Sequence, residues 1–180
     1  MRQFVVTVAL TAILAGVTSS AFAQMPAPSP APEVKKIGYL AGTWKLEGES
    51  KPSPMGPGGK MTMTEESAWM EGGFFLVSHS KFEAPGMGSG SGTSFMGYNP
   101  DQKAYTYDEF NSMGEAEHST GTVDGDTWIW LGDEKMGAQT MKGRYTMKIL
   151  TPTSYTFKYE MSPDGATWNT VMDGKATKVK

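Results

Sequence analysis

Apolar and polar side chains alternate over short segments in much of the chain after residue 36. In the segment 141–149 every second residue is apolar or glycine: Met141, Gly143, Tyr145, Met147 and Ile149. The residues between them are Lys142, Arg144, Thr146 and Lys148. The segment 155–161 repeats this pattern with Tyr155, Phe157, Tyr159 and Met161. Because the side chains of a β-strand point alternately to two faces, both segments predict strands with one dry and one wet face.

The same texture, broken by turn-forming residues, predicts ten strands in all. We expect them at 42–50, 60–70, 74–83, 92–98, 103–110, 115–123, 127–133, 137–149, 154–161 and 167–178. Gly, Pro, Asn and Asp stand between them where tight hairpins need a positive or preset φ. Short connections make neighbouring strands antiparallel, and closure of so wide a sheet removes its exposed edges. The sequence therefore predicts an all-β fold, an antiparallel up-and-down barrel of about ten strands.

The N-terminal region has a different composition. A basic start, an apolar run at 4–17 and an Ala-Phe-Ala ending at 21–23 are typical of a secretory signal peptide cleaved after Ala23. Residues 24–36 follow as a Pro-rich leader, which we expect to be extended because proline fixes φ and lacks a backbone donor. The expected organisation is thus signal peptide 1–23, leader 24–36 and barrel 37–180. It predicts a periplasmic or secreted protein.

Composition excludes several functional classes. The chain of 180 residues has no cysteine, so it forms neither disulfides nor thiolate metal sites. Its net charge of -3 argues against a nucleic-acid-binding protein, which normally carries a basic patch. ATP and nicotinamide cofactors are scarce outside the cytoplasm, and no cofactor is expected. No membrane-spanning segment is expected, since the apolar run at 4–17 is too short.

Four short motifs occur in the same order across 37–180 as in a known family. They are Leu-Ala-Gly-Thr-Trp at 40–44, Trp-Met-Glu-Gly-Gly-Phe-Phe-Leu-Val at 69–77, Met-Gly-Tyr-Asn-Pro at 96–100 and Ser-Pro-Asp-Gly at 162–165. The chain resembles a bacterial, exported family known only as a domain of unknown function with a barrel like that of lipocalins and fatty-acid-binding proteins, the calycins. The resemblance implies that Trp44 closes one end of the barrel. It implies no activity and no catalytic residues.

Candidate chemistry is sparse. His79 and His118 are the two histidines, and neither has a neighbour in a metal-binding or catalytic spacing, so we predict no metal site and no catalytic residue. Haem-binding relatives of this fold use a late histidine, and this sequence has none after His118. His118 is expected to point inward, with Glu117 facing solvent. Arg144 could hold an anionic ligand, but alternation places it on the charged face.

We expect the barrel to bind a small hydrophobic molecule in its lumen. His118 is included because the alternation along its strand is expected to turn it inward, and the others lie on the apolar faces of 141–149 and 155–161. The expected ligand-binding residues are His118, Met141, Tyr145, Met147, Tyr155, Phe157, Tyr159 and Met161. Two alternatives stay open. The segment 127–131 is apolar on both faces, which favours a structural or protein-interaction barrel with a packed core. A hydrolase or isomerase acting inside the barrel is the other, and the oligomeric state is not indicated.

Overall fold

A computed structural model describes residues 28–53, 56–86, 88–136 and 139–179, and within them the fold is all-β. The ten strands are β1 Gly42–Ser50, β2 Gly59–Trp69, β3 Leu76–Ala84, β4 Gly88–Asn99, β5 Ala104–Asn111, β6 Ala116–Asp124, β7 Thr127–Met136, β8 Gln139–Thr151, β9 Ser154–Ser162 and β10 Asn169–Lys178. The prediction of about ten strands is confirmed. The predicted signal peptide, 1–23, and residues 24–27 of the leader lie outside the described residues.

The strands close into one antiparallel barrel. Each strand pairs with the next along the chain, and β1 pairs with β10 to complete the ring. In the closing pair Trp44 stands opposite Lys178 and Ser50 opposite Met172. The predicted up-and-down barrel is therefore confirmed, because hairpin connections leave each strand beside its sequence neighbour.

One face of every strand points into the barrel. The buried apolar side chains on these inner faces come from both halves of the chain: Trp44, Leu46, Met61, Leu76, Tyr105, Trp128, Trp130, Met147, Tyr155, Phe157, Met161 and Ala176. The predicted apolar faces of 141–149 and 155–161 are inner faces. The other face is polar for most strands, as the period of two requires.

A short helical segment closes one end of the barrel, which we call the helix end. It comprises helix α1, Val34–Ile37, and a 3-10 helix, Gly38–Leu40. Ile37 is fully buried, and Val34 and Leu40 are nearly so. Residues 34–36, assigned to the leader from the sequence, thus belong to this closure. An amphipathic turn of only four residues is too short to give a helical period in the sequence.

Trp44 joins the helical segment to the barrel. Its indole Nε1 donates a hydrogen bond to the Leu40 carbonyl at 2.9 Å, and the ring packs 5.0 Å from Tyr155 and 5.2 Å from Tyr39. The Tyr39 hydroxyl donates to the carbonyls of Thr151 and Ser154, each at 3.0 Å. Trp44 therefore lies at one end of the barrel, as the resemblance implied.

The segment 127–131, which is apolar on both faces, lies in β7, and its side chains point alternately into and out of the barrel. Trp128 and Trp130 point inward and are buried, whereas Leu131 points outward and is half exposed. Ile129, also outward, is partly buried. Among the described residues, no helix is both long enough and apolar enough to cross a membrane.

Candidate ligand-binding lumen

Seven of the eight residues expected to bind a ligand lie on the inner face of the barrel. They are Met141, Tyr145, Met147, Tyr155, Phe157, Tyr159 and Met161. The structure brings them together because β8 and β9 are paired, with Tyr145 opposite Tyr159 and Met147 opposite Phe157. Their role in binding remains a prediction.

His118 lies on the outside, so its expected inward orientation is wrong. Its side chain is 64% exposed, and its Nδ1 is 2.7 Å from Oδ1 of Asp108 on the neighbouring strand. The reason is the orientation of Glu117, which points inward in place of His118. His79 is also exposed, with its Nδ1 3.1 Å from the Thr93 hydroxyl.

Arg144 points outward, as alternation predicted. Its Nε and Nη2 bind one oxygen of Glu160 at 2.9 and 2.8 Å, and its guanidinium lies 4.0 Å from the ring centroid of Trp168. Lys158 binds the other oxygen of Glu160 at 2.8 Å. Burial works to raise the pKa of Glu160, but the hydrogen bonds from Lys158 and Arg144 outweigh it and hold the pKa below its ordinary value. Arg144 is thus part of an outer ion-pair network.

A continuous series of aromatic rings follows the inner wall. Successive centroids are 5.0 to 6.2 Å apart along the sequence Tyr98, Tyr105, Trp128, Trp130, Tyr145 and Phe157. Trp128 and Trp130 are stacked at 21°, and Tyr145 and Phe157 at 8°. Within this wall the rings of Tyr105, Trp128, Trp130 and Phe157 are buried, whereas those of Tyr98 and Tyr145 keep some accessible surface.

Four glutamates that sequence reasoning missed also occupy inner positions: Glu65 on β2, Glu109 on β5, Glu117 on β6 and Glu134 on β7. Three of them lie at the end of the barrel opposite α1, which we call the acidic end, because β5 and β7 finish there and β6 begins there. The alternation of inward and outward residues along each strand was the signal that could have identified these glutamates. Glu134 is in phase with Trp128 and Trp130, and Glu117 is in phase with Gly121 and Val123.

The inner carboxyls affect one another. Burial raises the pKa of Glu117 to about 7, with smaller contributions from the charges of Glu134 and Glu109. Burial likewise raises the pKa of Glu65, against the effect of a 3.2 Å hydrogen bond from Ser67. The charges of Glu109 and Glu134 thus help to raise the pKa of Glu117, and the charge of Glu109 helps to raise the pKa of Glu65.

Tyrosine hydroxyls accompany these carboxyls. Tyr107 donates a hydrogen bond to Glu109, and burial together with the charges of Glu109 and Glu65 raises the pKa of Tyr107 well above its ordinary value. Tyr159 contacts Glu134, and its pKa is raised by burial first and by that charge second. The tyrosines therefore stay protonated and act as donors to the carboxyls.

Two glycines make room for the acidic side chains. A Cβ atom at Gly92 would lie 2.6 Å from Oε1 of Glu109, and one at Gly143 would lie 2.9 Å from both Glu134 and the Tyr159 hydroxyl. Contacts this short do not occur between relaxed side chains. Glu109 and Glu134 are thus seated over positions that lack a side chain.

The lumen differs from the depressions on the outer rims. One of about 280 Å³ is lined by Lys60, Thr62, Glu83, Ala84, Pro85 and Gly88. A second of about 280 Å³ is lined by Glu33, Lys36, Tyr98, Lys103, Tyr105, Thr122 and Val123. Both are open to solvent and carry charges of both signs. Neither depression is lined by the inner carboxyls Glu65, Glu109, Glu117 and Glu134.

Comparison with known proteins gives the family and the fold. The chain is similar to the crystal structure of Rv2717c from M. tuberculosis, with a TM-score of 0.57 and 15% sequence identity over 84% of this chain and 100% of that one. That likeness concerns the fold alone. No curated protein matches the sequence. Residues 29–178 match the family described as "Protein of unknown function (DUF1579)", and the chain belongs to that family.

Proposed function

We propose that this protein binds a small, largely apolar molecule inside its barrel. One observation carries the proposal: several side chains that point into the closed barrel still keep solvent-accessible surface. They include Met63, Glu65, Tyr107, Glu117, Glu134, Met141, Tyr145 and Tyr159. Inner side chains packed solidly against one another would lose that surface, as Trp44, Leu76 and Met147 do at the helix end.

The direction of access follows from the fold. The helix end is closed by α1 and the 3-10 helix, whose Val34, Ile37 and Leu40 are buried. No helix among the described residues lies at the acidic end. Ten strands also enclose more space than eight, which their own side chains can fill. A ligand would therefore enter at the acidic end and lie against the inner side chains that keep accessible surface, among them Met63, Met141 and Tyr145.

Apolar burial supplies the affinity. Each Å² of apolar surface removed from water contributes roughly 25 cal/mol, and the inner side chains of Met63, Met141 and Tyr145 keep such surface accessible. Leu131 on the outside does not favour the alternative of an interaction barrel, because isolated exposed apolar residues are ordinary at protein surfaces. We assign the protein no reaction.

Titration with N-phenyl-1-naphthylamine, an uncharged dye at neutral pH, tests the proposal. We expect enhanced dye fluorescence that saturates at one molecule per chain. Met63→Trp, which places a larger side chain in the lumen, should weaken binding at least tenfold. Thr64→Trp adds the same group on the exposed outer face of β2 and should leave binding unchanged. Absence of saturable binding to the wild type, or equal loss in both variants, would contradict a lumen site.

The proposal includes export. It is supported by residues 1–23, which combine a basic start, a short apolar run and an Ala-Phe-Ala ending. Expression of the full chain in a bacterium should yield a periplasmic or secreted protein whose intact mass corresponds to a chain beginning at Gln24. An uncleaved chain in the cytoplasm would contradict it.

A further inference from the structure

We propose that the depression beside α1 binds a free α-amino acid with an apolar side chain. This depression, which we call the rim cleft, lies at the helix end, between α1 and the turns that join β4 to β5 and β6 to β7. Its lining includes Glu33, Lys36, Tyr98, Lys103 and Val123. The rim cleft is separate from the acidic end, so the inference does not depend on the proposed function.

The size of the rim cleft limits its ligand. Its volume is about 280 Å³, whereas pockets for drug-sized molecules occupy roughly 300 to 1,000 Å³. The cleft is open to solvent, so a molecule can reach it directly. These dimensions suit a small metabolite such as a single amino acid.

The barrel side of the rim cleft is apolar. Tyr98 and Tyr105 stand opposite each other on β4 and β5, and their rings pack edge to face with centroids 5.1 Å apart. Tyr105 is buried, whereas Tyr98 and Val123 keep some accessible surface. An apolar ligand side chain can cover this surface, and its removal from water favours binding.

Three charged side chains surround this apolar surface. Glu33 and Lys36 belong to the start and the last turn of α1, and Lys103 belongs to the turn between β4 and β5. All three are exposed, and no ion pair reaches any of them within the ranges 28–53, 56–86, 88–136 and 139–179. Two positive groups and one negative group are therefore available to a ligand.

This combination of charges favours a zwitterion. Glu33 would repel a ligand that is only an anion, and the two lysines would repel one that is only a cation. An α-amino acid carries the complementary groups: a carboxylate for Lys36 and Lys103, and an ammonium group for Glu33. Its side chain would then lie against Tyr98 and Val123.

Hydrogen bonds hold α1 in position on one side of the cleft. The Glu33 carbonyl accepts a hydrogen bond from the Tyr105 hydroxyl at 3.2 Å and one from the Lys36 N–H at 3.0 Å. The charge of Glu33 also acts on this hydroxyl, since it adds to the effects of burial and of Tyr98 in raising the pKa of Tyr105. The two charged residues of α1 are thus tied to the barrel wall.

The turn on the other side is also fixed. Oδ1 of Asn99 accepts hydrogen bonds from the backbone N–H groups of Asp101 and Gln102, at 3.0 and 3.1 Å. Lys103 follows with a φ of 51°, and it is the only non-glycine residue with a positive φ among those that the structure describes. Such backbone is uncommon, and ligand-binding positions are among the places where a fold maintains it.

The other depression has the same volume but a different lining. It has one lysine, Lys60, and one glutamate, Glu83, and its lining contains no aromatic ring. Of these two depressions, only the rim cleft combines a second cation with an apolar aromatic surface. We therefore expect amino acid binding at the rim cleft alone.

Four probes test the inference by calorimetric titration: L-phenylalanine, N-acetyl-L-phenylalanine, L-phenylalaninamide and glycine. L-phenylalanine should bind at one molecule per chain and at least tenfold more tightly than the other three. These lack, in turn, the ammonium group, the carboxylate and the apolar side chain. Absence of L-phenylalanine binding, or equal or tighter binding of any other probe, would overturn the inference.

Matched variants locate the site. Glu33→Gln, Lys36→Gln and Lys103→Gln change exposed side chains and should each weaken L-phenylalanine binding at least fivefold. Lys35→Gln removes the same charge from an exposed neighbour on α1 that does not line the cleft, and it should change binding less than twofold. Unchanged binding in the three cleft variants, or an equal loss in Lys35→Gln, would overturn the inference.

One further variant separates the rim cleft from the lumen. Met63→Trp should weaken binding of the naphthylamine dye and leave L-phenylalanine binding unchanged, because Met63 does not line the cleft. Loss of L-phenylalanine binding in this variant would place the amino acid in the lumen and overturn the inference. Failure of the dye to bind the wild type would contradict the lumen site alone.

Discussion

The two ends of the barrel are built by the same strands but differ in chemistry. At the helix end most inner side chains are aromatic or aliphatic, and the buried residues of α1 pack against them. At the acidic end the continuation of the same inner faces carries Glu109, Glu117 and Glu134 with their tyrosine partners. The difference indicates a division of labour along the barrel axis. We expect the helix end to supply most of the stability, and under the proposed function the acidic end would supply the polar groups that orient a ligand.

The largest expected effect on stability comes from the helix end, when the side chain of Trp44 is removed. Trp44 is fully buried, contacts two tyrosines and holds the Leu40 carbonyl. Trp44→Ala should lower the free energy of unfolding by about 3 to 5 kcal/mol, because truncation of a buried aromatic leaves a cavity. Urea denaturation at constant pH measures the loss.

Trp69 provides the matched control at the same end. It is 40% exposed and lies against Gly38 of the 3-10 helix. Trp69→Ala should cost less than about 1 kcal/mol, since surface substitutions rarely cost more. Similar losses for the two tryptophans would contradict the idea that the helix end is anchored at Trp44.

At the acidic end we expect a substitution of Glu117 to change the free energy of unfolding by a smaller amount and in the opposite direction. The pKa of Glu117 is raised by burial from 4.5 to about 7, so the folded chain holds this proton more tightly than the unfolded chain does. The free energy of unfolding should therefore fall as the pH rises from about 4.5 to 7. Glu117→Gln removes that loss and should stabilise the protein by about 2 to 3 kcal/mol at pH 8 and by almost nothing at pH 4.

Thermal and urea unfolding at both pH values measure this difference. The control is Glu66→Gln, whose side chain is exposed on the outer face of β2 and should alter stability little at either pH. Destabilisation by Glu117→Gln at pH 8 would show that the carboxylate is compensated inside the barrel, and the division between the two ends would then be wrong.

Much of the fold could be predicted because local rules agree with one another. The first strand is observed at Gly42–Ser50, with the predicted bounds, and the turn at 162–165 forms as its Ser-Pro-Asp-Gly sequence indicates. In that turn Asp164 accepts hydrogen bonds from the backbone N–H groups of Ala166 and Thr167. Backbone preferences of this kind act over a few residues and are visible in the sequence.

The site could be predicted only on its apolar side. A period of two identified the inner faces of β8 and β9, but on β6 it left two possible phases, with either Glu117 or His118 inward. The usual rule that charged residues face solvent selected the wrong phase there. The structure shows that residues 117, 119, 121 and 123 face inward, since Ser119 and Gly121 are buried. Because serine and glycine are small, they gave no hydrophobic signal in the sequence.

Helix α1 could not be predicted for a different reason. Its four residues are too few for a period, and the prolines before it favour an extended chain. The contact of Ile37 and Leu40 with the barrel is a tertiary effect, as is the electrostatic coupling among carboxyls from four separate strands. Such groups meet only when the barrel closes.

Closure of the ring by β1 and β10 also limits how this protein meets other molecules. Every strand has hydrogen-bonded neighbours on both sides, so a foreign peptide has no free strand to extend by main-chain pairing. Recognition must then depend on side chains, either those of the outer wall or those reached through the mouth of the barrel. The specificity of the molecule accordingly depends on side chains, which can be substituted one at a time without altering the main-chain hydrogen bonds between the strands.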